Sequence, residues 1–290
     1  MSKIIDTHLH CWNRQKLEYY WLKNDASILA KNYLIEDIKP QLKHAGVSAA
    51  ILVQATDNLQ ETDWLLQLAT LHNWILGAVV WLPLQQPEVL HKTLSNYTAH
   101  PFFKGVRHQI HDEADDEWLL QPNVVESLQL LAAQNIPFDL VGIKPAHIKT
   151  AIAIAEKIPS LKVVFDHLNQ PPLSDKIKWK LWADLMAAAA QHPVFFAKIS
   201  GLGTTTIKPF NWTNKDIQPA IEFVLEHFGT NRIFCGGDWP VCLLAGEYAY
   251  TWQQYDAALT TLITEAEKDK LYCGNAEYFY TVKHNDFPLQ

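Results

Sequence analysis

Eight short apolar runs, rich in Val, Ile and Phe, constrain the fold of this chain more than any other feature. Each run is followed by a stretch with helical periodicity, which is the rhythm of repeated strand–helix units. The runs are residues 4–10, 49–55, 75–82, 103–108, 137–142, 162–168, 194–200 and 232–238. Eight alternating units favour a closed barrel over an open sheet. The sequence therefore predicts the α/β class and a (β/α)8 TIM barrel.

The segments between these runs predict the outer helices of such a barrel. Helices are predicted at residues 61–72, 124–134, 181–191 and 216–228, and a final loop with closing helices at 239–290. A chain of 290 residues matches the size of one barrel. No low-complexity linker interrupts the series. We therefore expect a single domain over residues 1–290.

Composition and charge restrict the class of ligand. Hydrophobic residues make up 48% of the chain and charged residues 19%, as in a well-packed globular protein. The formal net charge is -7 and no run of lysine or arginine is present, so the electrostatic footprint of a nucleic-acid-binding protein is missing. We expect a small neutral or weakly charged substrate and no nucleic-acid partner.

The sequence also carries expectations about compartment and thiol chemistry. The segment MSKIIDTHLH lacks the apolar core of a signal peptide, and no membrane-spanning apolar stretch is present. We therefore expect a cytoplasmic protein without membrane contact. The cysteines, Cys11, Cys235, Cys242 and Cys273, show no CxxC pairing and are expected to be reduced. Nothing in the sequence indicates the oligomeric state.

Polar residues close nearly every predicted strand. The active site of a (β/α)8 barrel lies at the carboxyl ends of its strands, so these residues are the candidates for function. They are His8, His10, Gln54, Trp81, Arg107, His108, Asp139, His167, Lys198, Ser200 and Asp238. Polar side chains at so many strand ends would each need a buried partner if they served only the core.

His8, His10 and Asp238 form the sharpest constellation. The two histidines are separated by one residue on a strand, so their imidazoles project from the same face and can converge on one ion. Closure of the barrel places the eighth strand, which ends at Asp238, beside the first. The alternative for an HxH pair is that one ring packs while the other bonds the backbone, and Asp238 could instead cap a helix or pair with Arg232.

At these residues the chain resembles the amidohydrolase superfamily, and within it the amidohydrolase-2 branch of sugar lactonases, of the L-fuconolactonase and L-rhamnonolactonase type. The ordered set of matching segments, from residue 4 to about residue 280, is more specific than HxH alone. The segments are IIDTHLHCW with a following YYWL, FKGVRHQIHDEADDEWL, VVFDHLNQPPL, FAKISGL, and FCGGDWPVCLLA with a later YCGNAEYFY.

The resemblance implies a metal-site frame of His8, His10 and Asp238, with His167 as a further ligand or as a substrate-activating imidazole. It implies one divalent ion, zinc by preference, although some relatives of this type hydrolyse lactones without metal. Binuclear members carry a lysine or glutamate late on strand four and a histidine on strand five. Here strand four ends in Arg107 and His108, so a two-metal site is not expected.

The remaining candidates carry predicted roles with alternatives. Asp238 is predicted as the proton shuttle and His167 as the second catalytic residue, although His167 could be a core histidine. Asp166 is expected to point to the opposite face of its strand from His167. Arg107 either binds the lactone or pairs with an acidic neighbour. The other predicted substrate-binding residues, which could instead stabilise the barrel, are His108, Gln54, Trp81, Lys198 and Trp239.

The predicted function is hydrolysis of a sugar lactone by an activated water. One alternative is a metal-dependent decarboxylase or another C–C hydrolase of the same branch, because those enzymes look similar at HxH and at the strand-eight aspartate. The other is a non-catalytic carbohydrate-binding barrel that keeps Trp81 and Trp239. The intact His8, His10 and Asp238 favour an enzyme.

Overall fold

The computed structural model describes residues 3–284, and its centre is one eight-stranded parallel sheet. The strands follow one another in chain order: β1 (Ile5–Leu9), β2 (Ala49–Val53), β3 (Ile75–Val80), β4 (Phe103–His108), β5 (Phe138–Leu140), β6 (Val163–Phe165), β7 (Phe195–Ile199) and β8 (Ile233–Cys235). The sheet closes where the segment after β8 meets β1, since Leu9 and Trp239 form a parallel bridge. The prediction of a (β/α)8 barrel is confirmed.

Helices follow the strands and surround the sheet. They are α1 (Ile35–Ala45), α2 (Leu59–Leu71), α3 (Pro87–Thr98), α4 (Pro122–Ala133), α5 (Pro145–Lys157), α6 (Lys176–Ala190), α7 (Leu202–Thr205), α8 (Asn214–Phe228), α9 (Tyr248–Thr260), α10 (Glu265–Asp269) and α11 (Asn275–Tyr280). The four individually predicted helices are present, and each begins a few residues earlier than predicted. Capping explains two of these starts, because Asn58 caps α2 and Thr213 forms a capping box with Asp216 at α8.

Two apolar layers position the site. One layer lies between the sheet and the helices, and the other fills the barrel with side chains such as Ile51, Val79, Phe196 and Phe234. The helix α11 belongs to the inner layer, because Phe279 and Tyr280 pack against residues at the amino ends of the strands. This end of the barrel is therefore closed, and ligands reach the interior from the carboxyl ends.

The strand ends differ from the prediction at the two places that carry catalytic candidates. β6 ends at Phe165 and not at residue 168, because His167, Leu168, Asn169 and Gln170 all adopt left-handed backbone with φ between 50° and 54°. Likewise β8 ends at Cys235, and Asp238 has a φ of 55°. Left-handed backbone cannot continue a strand. His167 and Asp238 are thus presented by turns beyond the strands.

Other expectations can be compared over the described residues. Within residues 3–284, no helix has both the length and the apolar character that crossing a membrane requires. All four cysteines are free thiols, as predicted. Helices α9 to α11 confirm the predicted closing helices, and residues 285–290 of that segment lie outside the described residues.

Candidate active site

A cavity of about 190 Å³ opens at the carboxyl ends of the strands. Four residues singled out in the sequence line it: His10, Arg107, His167 and Asp238. His8 is fully buried and contacts His10 and Asp238. The remaining walls are Trp21, Ala55, Gln109, His111, Val141, Gln170, Gly201, Thr204, Thr205 and Val241. The structure therefore brings together the histidines and the aspartate that the sequence singled out.

His8, His10 and Asp238 form a compact donor group. Nε2 of His8 lies 3.0 Å from Nε2 of His10. Oδ1 of Asp238 lies 3.8 Å from Nε2 of His8 and 3.5 Å from Nε2 of His10. Among the described residues, these three form the group of possible metal ligands whose donor atoms all lie within 4.8 Å of one another. Two imidazoles and a carboxylate are ligands that Zn²⁺ prefers.

The contacts of Nδ1 in each imidazole bear on whether Nε2, which faces Asp238, carries a proton. Nδ1 of His10 lies 2.9 Å from the carbonyl oxygen of Val53, which can only accept, so Nδ1 carries the proton. Nδ1 of His8 lies 3.4 Å from Oδ1 of Asp166, and burial lowers the pKa of His8 well below its usual value. Nδ1 of His8 also lies 3.3 Å from the Lys198 ammonium, and the two Nε2 atoms lie within hydrogen-bond distance of each other at 3.0 Å. A metal ion that replaced the proton between them would meet two imidazole nitrogens and the Asp238 carboxylate, so the donor set fits a metal ion.

His167 approaches the same group from the left-handed turn after β6. Its Nδ1 lies 2.9 Å from Oγ of Ser200 and 3.9 Å from Oδ2 of Asp238. Burial lowers the pKa of this imidazole and favours the neutral ring. The close approach requires Gly201, because a Cβ atom there would lie 2.6 Å from the Asp238 carboxylate and 2.8 Å from the His167 ring. His167 lies beside the donor group and is not one of its members.

The expectation that Asp166 and His167 point to opposite faces is wrong. It assumed a strand, whereas His167 has a φ of 54° and a ψ of 31°. Both side chains therefore turn toward the barrel axis, where each contacts His8. The ring centroids of His8 and His167 are 4.5 Å apart, and Oδ1 of Asp166 lies 3.4 Å from Nδ1 of His8.

Four charged side chains form a buried ionic cluster beneath His8, which we define as Arg107, Asp139, Asp166 and Lys198. Oδ2 of Asp166 accepts from Nε of Arg107 at 3.0 Å, and its Oδ1 lies 2.8 Å from Nζ of Lys198. Nζ of Lys198 also donates to Oδ2 of Asp139 at 2.6 Å. Two positive and two negative groups balance one another, as buried charges require.

The protonation states agree with this balance. Burial alone would raise the pKa of Asp166, but Lys198, His8 and Arg107 hold it well below its usual range. Burial likewise opposes the charge of Lys198, yet Asp139 and Asp166 raise its pKa above the ordinary value. Burial raises the pKa of Asp139 to about 6. The cluster is therefore ionised at neutral pH, with Asp139 the most easily protonated carboxylate.

A second network supports the opposite wall. Nη1 of Arg107 donates to the Gln54 side chain at 2.6 Å, and Gln54 donates to Asp57 at 2.8 Å. Trp81 donates to Nδ1 of His108 at 3.0 Å, while Nε2 of His108 lies 2.7 Å from Glu113. His108 therefore holds its proton on Nε2 when neutral. These bonds fix Arg107 and the β4 loop around the cavity.

Comparison with known proteins agrees with this geometry. The family model described as an amidohydrolase matches residues 5–282, which is nearly all of the chain. The chain belongs to the amidohydrolase family. The predictions of that family and of a hydrolase are thereby confirmed.

Individual amidohydrolases resemble the chain over most of its length. An L-fucono-1,5-lactonase of Burkholderia ambifaria is 26% identical over 285 residues, 97% of each protein. An L-rhamnono-gamma-lactonase of Scheffersomyces stipitis is 24% identical over 214 residues, 66% of this chain and 62% of that protein. A crystal structure of a Burkholderia multivorans amidohydrolase with bound HEPES is 26% identical, with a TM-score of 0.90 over 97% of this chain and 100% of that chain. Another crystal form, with bound zinc, has a TM-score of 0.88 over the same shares at 26% identity.

The structure places most of the six predicted substrate-binding residues outside the lining of the cavity. Of the six, Arg107 alone lines the cavity. Lys198 is fully buried in the ionic cluster, and Trp239 is fully buried against Tyr33, with ring centroids 5.2 Å apart. Neither side chain lines the cavity, because both are enclosed by other side chains. Gln54, Trp81 and His108 belong to the supporting network, which matches the alternative that they stabilise the barrel.

Several residues of this amidohydrolase cavity come from the loops beyond the strand ends, and residues that close the strands do not indicate them. They are Trp21, Gln109, His111, Gln170, Thr204 and Thr205. Trp21 is fixed by a hydrogen bond of 2.7 Å from Nε1 to the Ala55 carbonyl. The segment YYWL contains this tryptophan and was the one available signal.

Glu61 gives a testable prediction of stability against pH. This carboxyl is fully buried on α2 and accepts backbone bonds from Ala55 and Thr56, and burial raises its pKa to about 8. The unfolded chain releases the proton near pH 4.3, so the native state alone keeps it up to the folded pKa, and its free energy of unfolding falls as pH rises through this window. Glu61→Gln is expected to flatten the fall, measured by urea unfolding at several pH values. Identical pH slopes in both proteins would refute the prediction.

Proposed function

We propose that this amidohydrolase opens a sugar lactone by attack of water on the lactone carbonyl. The observation that carries the proposal is the Asp238 carboxylate beside two facing imidazoles at a small cavity at the carboxyl ends of the strands. Similarity over 97% of the chain to an L-fucono-1,5-lactonase supports the lactone as substrate class. The walls also suit a sugar, because Gln109, Gln170 and Thr204 offer hydrogen-bonding groups and Trp21 offers an apolar ring.

We further propose one divalent ion, zinc, held by His8, His10 and Asp238. When bound, such an ion lowers the pKa of a coordinated water toward about 7 and acts as a Lewis acid. The facing Nε2 atoms of the two histidines support the proposal, as does the zinc found in the similar Burkholderia multivorans amidohydrolase. Asp166 and the Val53 carbonyl hold the outer nitrogens of the two rings, an arrangement usual for metal-bound histidines.

The proposed roles of the remaining residues follow from their contacts. Asp238 takes the proton of the attacking water and returns it to the departing ring oxygen. Arg107 uses Nε on Asp166 and Nη1 on Gln54, which leaves Nη2 for the lactone carbonyl or a hydroxyl. His167 is neutral and lies beside Asp238, where it orients the same carboxylate or the substrate. The developing oxyanion is stabilised by these fixed donors.

A panel of aldonolactones with a pH indicator tests the function. L-fucono-1,5-lactone and L-rhamnono-gamma-lactone, the compounds in the names of the two relatives, come first. Proton release that is saturable in lactone supports the proposal. Carbon dioxide release from hydroxybenzoates would instead support a decarboxylase, and saturable sugar binding without turnover a binding protein. Either of these results, with inert lactones, rules the lactonase out.

Removal of metal is expected to lower the rate on the best lactone by roughly tenfold or more, because the water then loses its acidifying ligand. The measurement compares the purified protein before and after chelation, with elemental analysis of both samples. Added zinc is expected to restore the rate. Full activity in a metal-free sample would contradict the metal site, while the lactonase proposal would stand on Asp238, His167 and Arg107.

Three broader expectations remain predictions. A cytoplasmic location, a single domain over residues 1–290 and the lack of a nucleic-acid partner follow from the sequence. The net charge of -7 supports the last of these.

A further inference from the structure

His111 lines the cavity, and the proposed mechanism does not use it. It belongs to the 3₁₀ turn Ile110–Asp112, which follows β4 and brings the imidazole to the cavity. Ile110 is buried, and the backbone N–H of Asp112 donates to the Gln109 carbonyl at 2.9 Å. These contacts fix the backbone that carries the ring.

The imidazole of His111 makes no hydrogen bond of normal geometry within the described residues. Nδ1 is enclosed and has no partner, although the Val141 backbone lies close enough to favour the protonated ring. Nε2 lies 3.7 Å from Oδ1 of Asp112, which is too far for a hydrogen bond. The side chain is nevertheless 24% exposed. Because Nδ1 is enclosed, Nε2 is the ring nitrogen that a ligand can reach.

Other polar side chains of the cavity are less suited to bind a ligand group. Nε1 of Trp21 and the hydroxyl of Thr204 already donate to backbone carbonyls. Gln109 and Gln170 also line the cavity, but a long glutamine side chain loses more rotamer freedom than an imidazole when a ligand fixes it. A hydrogen bond to His111 therefore costs less conformational entropy than one to either glutamine.

The charge of His111 indicates which kind of group it binds. Burial lowers the pKa of His111 to about 4 against the effect of Asp112, and the nearby Arg107 adds to the lowering. The ring is therefore neutral at neutral pH, with one N–H and one lone pair. A hydroxyl can donate or accept, so it can pair with Nε2 in either tautomer. A carboxylate can only accept and is better served by a cation.

We propose that His111 is a specificity-determining residue: its Nε2 binds a hydroxyl group of the lactone and thereby favours sugar lactones over lactones that carry no hydroxyl. The inference deepens the proposed function and rests on it. His111 is not a member of the donor group of His8, His10 and Asp238, and a hydroxyl is not the reacting group. The bond is therefore made alike with the bound lactone and in the transition state, so its loss is expected in KM more than in kcat.

The test compares each lactone of the panel with the unsubstituted ring of the same size, δ-valerolactone or γ-butyrolactone. His111→Phe keeps a planar ring and removes both nitrogens. Selectivity, the ratio of the two kcat/KM values, is expected to fall by about fivefold to tenfold, as the loss of one neutral hydrogen bond predicts. A higher KM for the sugar lactone is expected to account for most of the fall. A general loss of folded protein would lower both values together and leave their ratio unchanged.

Two further substitutions identify the nitrogen. The amide of glutamine extends about as far along the side chain as Nε2, and that of asparagine about as far as Nδ1. His111→Gln is therefore expected to keep most of the selectivity and His111→Asn to lose it, and the reverse result would overturn the assignment to Nε2. His111→Asn also replaces His111→Phe if that variant does not fold. The matched control is His227→Phe on α8, a half-buried histidine outside the cavity, which is expected to keep the parent selectivity.

The outcomes separate this inference from the proposed function. Unchanged selectivity in His111→Phe, or an equal loss in His227→Phe, overturns the inference while lactone hydrolysis stands. A parent protein that hydrolyses no lactone contradicts the proposed function. Calorimetric binding of L-fucono-1,5-lactam, which keeps the hydroxyls and resists hydrolysis, then decides the role of His111. Its affinity is expected to fall by about fivefold to tenfold in His111→Phe, and an unchanged affinity, or no binding to the parent, overturns the inference.

Discussion

Asp238→Asn is expected to slow hydrolysis of the best lactone by roughly 10²- to 10⁴-fold, the usual contribution of general acid–base catalysis. Asparagine keeps the size of the side chain and tolerates the left-handed backbone at this position, where φ is 55°. The variant is therefore expected to fold but to lack the proposed base for the attacking water. Because Arg107 and the loop side chains still hold the lactone, kcat is expected to fall much more than KM changes.

The kinetics are best measured at saturating zinc, so that a weaker metal site does not enter the comparison. Asp256→Asn on α9 is the control, since Asp256 bonds Lys268 and Tyr272 away from the cavity. Its kcat is expected to match that of the parent. If the Asp238 variant hydrolysed the lactone within about threefold of the parent rate, Asp238 would not be the proton shuttle.

The barrel could be predicted because each strand and each helix has its own signal in a short stretch of sequence. Each strand is a short apolar run before a helical stretch, and eight such units leave closure as the simplest arrangement. The HxH pair on β1 and the aspartate after β8 were found by the same logic, since strands one and eight become neighbours in a closed barrel. The resulting group of His8, His10 and Asp238 has the donor atoms that the sequence suggested.

The features that the sequence did not predict depend on backbone conformation and on how deeply each side chain is buried. The left-handed turn from His167 to Gln170 has only a weak signal in the sequence, because His and Asn adopt this conformation more often than other residues but Leu168 and Gln170 interrupt the pattern. Lys198 and Arg107 both lie near strand ends and both belong to the ionic cluster, yet Arg107 also lines the cavity and Lys198 does not. Which residue reaches the surface depends on strand stagger around the barrel, and a single sequence does not reveal that stagger.

Asp166→Asn is expected to lower the free energy of unfolding by about 3–5 kcal/mol, the cost of breaking a buried ion pair by removing one partner. Asp166 contacts Arg107, Lys198 and His8, and its carboxylate is fully buried. Without it the ionic cluster holds two cations and one anion. The Arg107 guanidinium would then have only the Gln54 oxygens as acceptors.

Lys198→Met provides the informative comparison, because it removes a charge of the opposite sign from the same cluster. Asp166 then keeps Arg107 as partner, and Asp139 can become neutral by taking a proton, since burial already raises its pKa to about 6. The loss of stability is therefore expected to be smaller than for Asp166→Asn. The ionic cluster therefore tolerates the loss of a cation better than the loss of an anion, because Asp139 can be neutralised by taking a proton.

Denaturant unfolding of both variants measures the difference, with Asp184→Asn as the surface control. Asp184 pairs with Lys180 at 2.6 Å, but both side chains are more than half exposed. Asp184→Asn is expected to lower the free energy of unfolding by no more than about 0.5 kcal/mol. An Asp166 variant as stable as the Asp184 variant would show that the buried carboxylate does not hold the cluster together. If the Asp166 variant were at least as stable as Lys198→Met, an unpaired Arg107 would not cost more than an unpaired Asp139, and the predicted difference would be refuted.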